Sequence, residues 1–240
     1  MGVPGIGRLG RVVGCATVSR VVGCAMLSWA LAACGSTLPG HPVAAREGAI
    51  TGRIGSDLAS MLPGAQQFPP DFSTATPTGD GAVAAIADLT AIPAGAQVDP
   101  ADCAPQRADP NATGVEVGTG SDGRSTVTVV LTRTGEPLSA ARERLSRCKT
   151  VRARHEAIDR TITTELLPPP PVDADDSLAF GRTTAGGPAG SGADPVLRTL
   201  LAQIGDVRVQ ATTMAFGSNQ PDATAVDQVF TAAVGDVRKR

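Results

Sequence analysis

The chain has 240 residues, 21 basic and 23 acidic side chains, a formal net charge of −2, and only five Phe, one Trp and no Tyr. That balance excludes the basic footprint of a nucleic-acid partner, and the scarcity of rings excludes an aromatic platform for stacking bases or sugars.

Arg8, Arg11 and Arg20 give the N-terminus a positive charge with no acidic residue among the first 33 positions. Residues 21–33 then form an apolar run broken only by Gly23 and Ser28, too short for a membrane-crossing helix and of the length of a signal-peptide core. Leu31, Ala32 and Ala33 directly before Cys34 resemble a bacterial lipobox, whose chemistry is diacylation of the cysteine thiol and cleavage in front of it. The bland alternative is a secretory signal that happens to end beside a cysteine; the coincidence of apolar run and box favours the lipobox. Two acyl chains anchor a protein stably where one does not. The expectation is therefore a signal peptide over 1–33 and an extracytoplasmic chain anchored to the cell membrane by lipid at Cys34. The near-repeat of 11–19 by 20–28, with Cys15 and Cys24, falls in the discarded leader.

Cleavage leaves 207 residues with a net charge of −5, enough for one core. Residues 34–55, rich in Gly, Pro and Ala, read as a flexible tether, and 56–240 as a single domain. After the anchor only Cys103 and Cys148 persist, in a compartment where disulfides form, so their pairing is expected. Closing a loop of about 45 residues would contribute roughly 4 kcal/mol in the chain-entropy model. Two free thiols or a two-cysteine metal site are the alternatives; a metal would need further ligands, and His41 and His155 are the only histidines.

Ser56 can cap a short helix holding Leu58, Met61 and Leu62, stopped by Pro63. Residues 63–79, with four prolines, read as an extended loop from which Phe68 and Phe72 dip into the domain. Asp80 caps a helix with Val83, Ile86 and Leu89 on one stripe, ended by Pro93. Residues 94–114 show little periodicity. Thereafter the period is two: 114–118 and 125–134 form a hairpin around Ser121, Asp122 and Gly123, with Val127, Val129 and Leu131 on one face. Pro137 suits the first turn of a helix to Cys148 carrying Leu138, Ala141 and Leu145 inward. Residues 150–155 and 160–166 make a second hairpin, closed by four prolines, and 177–184 another strand. A glycine-rich loop over 185–192 follows. Residues 196–204 stay open between two readings. Leu197, Leu200, Leu201 and Ile204 suit a helix begun by Asp194 and Pro195, whereas Leu200, Ala202 and Ile204 suit a strand paired through Gly205 and Asp206 with 207–216. The final helix, 222–238, aligns Val226, Val229, Phe230, Ala233, Val234 and Val237. The order predicts an α+β fold, a largely antiparallel sheet of about five to six strands with helices packed on it.

The glycines Gly118, Gly120 and Gly123 match a dinucleotide-binding spacing, but a strand follows where that loop needs a helix N-terminus, so a hairpin turn is expected. Asp173, Asp175 and Asp176 lack the glycine and distal glutamate of a calcium loop. No serine sits in a Gly-x-Ser-x-Gly elbow, and His155 has no partner at ligand spacing. No catalytic, cofactor or metal residue is assigned and no enzyme is expected. Arg142, Arg144, Arg147, Arg152 and Arg154 concentrate positive charge on an acidic chain. The bland reading is a salt-bridged surface; the sharper one is a basic face drawn to anionic lipid or wall polymer.

The lipobox, the proline-rich entry, the segment 98–103 ending at Cys103, the cysteine closing the 137–148 helix, the proline-aspartate stretch 166–178 and the closing helix together resemble a family of uncharacterised mycobacterial lipoproteins. That family is in turn distantly similar to the extracellular sensor domain of a mycobacterial receptor-type serine/threonine kinase. The resemblance implies helices packed on an antiparallel sheet around a cleft, in a sensor-like protein binding a small, lipidic or cell-wall ligand. That sensor has two disulfides where this chain can form one. An interaction or scaffolding lipoprotein docking another envelope protein is the alternative, and a monomer is assumed. Metabolic labelling with a fatty acid is expected to tag the protein and Cys34→Ala to abolish the tag; a tag that survives the substitution contradicts the lipobox.

Overall fold

Alternating apolar positions supply most of the architecture of the computed structural model, which describes residues 50, 52–156, 158–186, 194–217 and 219–240. The expected signal peptide, the lipobox residues Leu31, Ala32, Ala33 and Cys34, most of the tether and most of the 185–192 loop lie outside the described residues.

The elements run β1 (Phe72–Ala75), α1 (Asp80–Asp88), β2 (Gln97–Asp99), β3 (Thr113–Gly120), β4 (Ser125–Arg133), α2 (Leu138–Arg147), β5 (Thr150–His155), β6 (Ile158–Leu167), β7 (Asp176–Ala185), β8 (Val196–Ile204), β9 (Val207–Ala215) and α3 (Ala223–Arg238), with short 3-10 turns between. The strands form one sheet in the order β1-β3-β4-β9-β8-β7-β6-β5-β2. Every neighbouring pair is antiparallel. The fold is α+β as expected, but the sheet has nine strands, not five or six. Both hairpins, the strand after the prolines and the last helix stand where their periods place them. The first short helix is instead a 3-10 turn over Ala59–Met61.

The open segment 196–204 is strand β8, paired with β7 on one side and β9 on the other. Leu200, Ala202 and Ile204 pack toward α3, whereas Leu197 and Leu201 join clusters on the opposite face. A strand covered on both faces reads as a continuous apolar run, which imitates a buried helix. The other additions, β1 and β2, are four- and three-residue edge strands, too short to show a period.

On one face of the sheet α3 lays Val226, Val229, Phe230, Ala233, Val234 and Val237 against Val127, Val129, Leu131, Val207, Val209 and Leu200, all nearly or fully buried. Burying each such side chain contributes about 1.5–3 kcal/mol before entropy is counted. Asp222 begins the helix, its side chain accepting from the Ala225 N–H at 2.9 Å. Leu58, Met61 and Phe68 of the entering chain extend this core.

The entering chain is held at the β8–β9 turn. Asp206 accepts from the Ile54 N–H at 2.7 Å and pairs with Arg133 at 2.9 Å. Arg133 also donates to the Ser56 carbonyl at 2.6 Å. Residues 52–54, expected to belong to the tether, are thus bound to the domain. Burial works to raise the Asp206 pKa, but the Ile54 N–H and the Arg133 guanidinium outweigh it and hold the carboxyl below its usual value.

The dinucleotide-like glycines have packing roles. A Cβ on Gly118 would stand 2.5 Å from Phe68 Cδ1 and 3.2 Å from Phe72 Cδ1. Gly123 takes a left-handed φ of 64° in the hairpin turn. Asp122 there accepts from the Arg124 N–H at 2.9 Å and the Ser125 N–H at 3.2 Å, bonds that lower its pKa.

Gly118→Ala is expected to lower stability by about 1–3 kcal/mol in urea unfolding, because the Phe68 ring must leave its site. A wild-type midpoint would show that the ring has room. A second outcome concerns acid: a depressed carboxylate contributes stability that is complete above its unfolded pKa and is lost as pH falls through the folded one. The stability advantage of wild type over Asp206→Asn should therefore shrink below about pH 4, and an advantage that stays constant down to about pH 2 would contradict the depressed carboxyl.

Candidate ligand-binding cleft

The face of the sheet opposite α3 is covered unevenly. Near one end α1 and its continuation pack Ala82, Leu89 and Ala91 over Val115, Val130, Ala153, Ile162 and Leu197. Near the other α2 packs Leu138 and Ala141 over Leu178, Phe180 and Leu201. Between them lies a cleft with a cavity volume of about 480 Å³, within the range of small-molecule sites.

Its floor is sheet: Val130 from β4, Gln210 from β9, Phe180 and Arg182 from β7, Thr164 and Ile162 from β6. Its walls are Ile86 and Ile92 on one side and Leu145 and Arg144 on the other. Residues 103–109 run along its edge. The disulfide between Cys103 and Cys148, with Cα atoms 5.7 Å apart, ties that edge to the C-terminal end of α2. Both sulfur-bearing residues line the cleft.

Two arginines rise from the buried registers of their strands. Arg208 pairs with Glu136 at 3.3 Å and donates to its carbonyl. Glu136 also binds Arg144, so one carboxylate bridges two guanidinium groups. Burial lowers the Arg208 pKa against the pull of Glu136. Arg182 is half-buried. It lies 4.9 Å from the centre of the Phe180 ring and donates from Nη1 to the Leu89 carbonyl at 3.0 Å. Burial pushes its pKa down to about 10, so it remains charged at neutral pH.

Three of the five arginines of the expected basic face are held by carboxylates. Arg142 and Arg144 leave α2 and hold Asp176 at 3.4 Å and Glu136 respectively. Arg154 holds Asp159 at 3.1 Å. Arg152 and Arg154 are exposed on the face of β5 opposite Val151 and Ala153, which are buried on the cleft side. Arg147 and Arg152 are exposed and make no ion pair among the described residues. The aspartate run also has internal partners. Asp173 and Asp175 pair with Arg238 at 2.9 and 3.2 Å, the Arg238 guanidinium lowering the Asp173 pKa, and Asp175 accepts from the Gly205 N–H. Among the described residues no three His, Cys, Asp or Glu are placed to hold a metal ion.

Sequence reasoning missed Arg182, Arg208, Glu136 and Gln210. The readable sign was parity: Leu178, Phe180 and Arg182 alternate in one register, so an arginine follows two apolar residues onto the covered face.

A search of curated proteins finds no match. Solved structures similar to this chain include an uncharacterised protein of Mycobacterium smegmatis, an Rv0999 ortholog, at 17% identity over 76% of this chain and 97% of that one, with a TM-score of 0.46. They also include the extracellular domain of PknH from Mycobacterium tuberculosis, at 15% identity over 76% of this chain and 95% of that one, with a TM-score of 0.47. The distant likeness to a mycobacterial extracellular domain, expected from the sequence, is present at low identity. Residues 57–238 match the model of a protein family described as a domain of unknown function, DUF5642, and the chain belongs to that family.

Proposed function

We propose that this protein is a membrane-anchored extracytoplasmic lipoprotein whose domain binds a small or lipidic molecule in a sensor-like, non-catalytic role. The cleft between α1 and α2 carries the reading. It combines a cavity of about 480 Å³ with apolar side chains from Ile86, Ile92, Leu145 and Ile162 and polar and charged groups on floor and walls alike, a volume and mixture open to a small ligand. Its charged lining consists of five arginines with Asp109 and Glu136, and Glu136 is tied between Arg144 and Arg208. Guanidinium groups stay protonated near neutrality, so this lining suits holding an anion better than moving a proton.

The leader and Leu31, Ala32, Ala33 and Cys34 support anchoring outside the cell, and the Cys103–Cys148 bridge is compatible with an oxidising compartment. Native mass spectrometry of the full chain from a mycobacterial host is expected to show a small molecule retained one to one. Hydrogen exchange should then show residues 103–109 and α2 protected in the loaded protein relative to the emptied one. A co-purifying protein with no small molecule would favour a scaffolding role instead, and an empty chain would count against ligand binding.

A further inference from the structure

Five arginines line the cleft, and three of them are held by carboxylates. Arg133 pairs with Asp206, Arg144 and Arg208 share Glu136, and Arg107 is exposed on the edge segment. Arg182, like the exposed Arg107, has no carboxylate partner among the described residues, but it alone of the two stands half-buried on the sheet floor.

A guanidinium group carries five N–H donors. Arg182 uses one, from Nη1 to the Leu89 carbonyl beyond the end of α1. The contact with the Phe180 ring restrains the group. Its other nitrogens make no hydrogen bond among the described residues, and the residue lines the cavity. Thr164 lies directly across from Arg182 in the β6–β7 register and also lines the cavity. Its hydroxyl can donate or accept. An edge of a guanidinium group beside a hydroxyl matches the two oxygens of a carboxylate or phosphate. Ile86, Ile92, Leu145, Val151 and Ile162 supply apolar surface to the same cavity.

We infer that the cleft receives an amphiphile with one anionic head, a carboxylate or a phosphate monoester, bound by Arg182 and Thr164, its apolar body lying along the isoleucine and leucine walls. The inference rests on the cleft being a ligand site. Its plain competitor is that Arg182 serves only to cap α1 through the Leu89 carbonyl, in which case the head group would be indifferent.

The test compares octanoate, octyl phosphate and octanol as probes of the purified full chain by calorimetry. At least one of the two anions is expected to bind about tenfold or more tightly than octanol, the discrimination of one charge-assisted hydrogen-bonded pair. Arg182→Gln should reduce that gap to less than about threefold while leaving octanol binding as it was. The side-chain nitrogen NMR signal of Arg182 in the wild type should move with the favoured anion and not with octanol, a readout that needs no variant and decides the matter should Arg182→Gln fail to fold. Equal binding of all three probes overturns the Arg182 head-group site and leaves the cleft as a ligand site. Anion selectivity that persists in Arg182→Gln, or an unmoved Arg182 signal, also overturns it. Binding of none of the probes counts against this amphiphile and, if native mass spectrometry also finds an empty chain, against the cleft itself.

Discussion

Among the described residues nine strands present two faces to be covered, and three helices must cover them. The long helix α3 takes the centre of one face, over β4, β9 and β8, where its valines and Phe230 meet the valines of the sheet. The shorter helices α1 and α2 share the other face without meeting across it, and the strip of sheet between them is the floor of the cleft. The site therefore comes from a shortage of helical cover on a rigid, doubly paired central sheet, and strand parity decides which side chains it receives.

Parity also explains how much could be read from the sequence. The α3 stripe, the two hairpins and the Cys103–Cys148 pair declare themselves through period and cysteine arithmetic, signals that each depend on a single segment or residue type. The strand β8 does not: Leu197 and Leu201 serve one face and Leu200 and Ile204 the other, so the run carries both periods at once. The edge strands β1 and β2 exist because β3 and β5 offer them partners, information that lies outside their own few residues. The cleft was least legible, since α1, the 103–109 segment, α2 and seven strands converge on it from distant parts of the chain. Arg182 was missed with the rest, although its place in the apolar register of Leu178 and Phe180 was a readable sign.

Charge is distributed in a way that composition conceals. The cleft of an acidic chain is lined mainly by arginines, three of them tied to Asp206 or Glu136, while part of the outer basic surface is neutralised by nearby carboxylates such as Asp159 and Asp176. Exposed pairs of that sort contribute little to stability, but they remove competing sites for an anion. The Asp173 and Asp175 pairs with Arg238 act similarly at the end of α3, tying the proline-rich connection to the last helix.

The disulfide has a consequence for the shape of the cleft. Side chains along a helix can be pushed aside, and packed helices can slide by an ångström or two when a guest is bulky. Here the edge segment and the foot of α2 are joined covalently, with 5.7 Å between their Cα atoms. At that end the edge segment can part from α2 by no more than the bridge permits, whereas the α1 side carries no such covalent tie among the described residues.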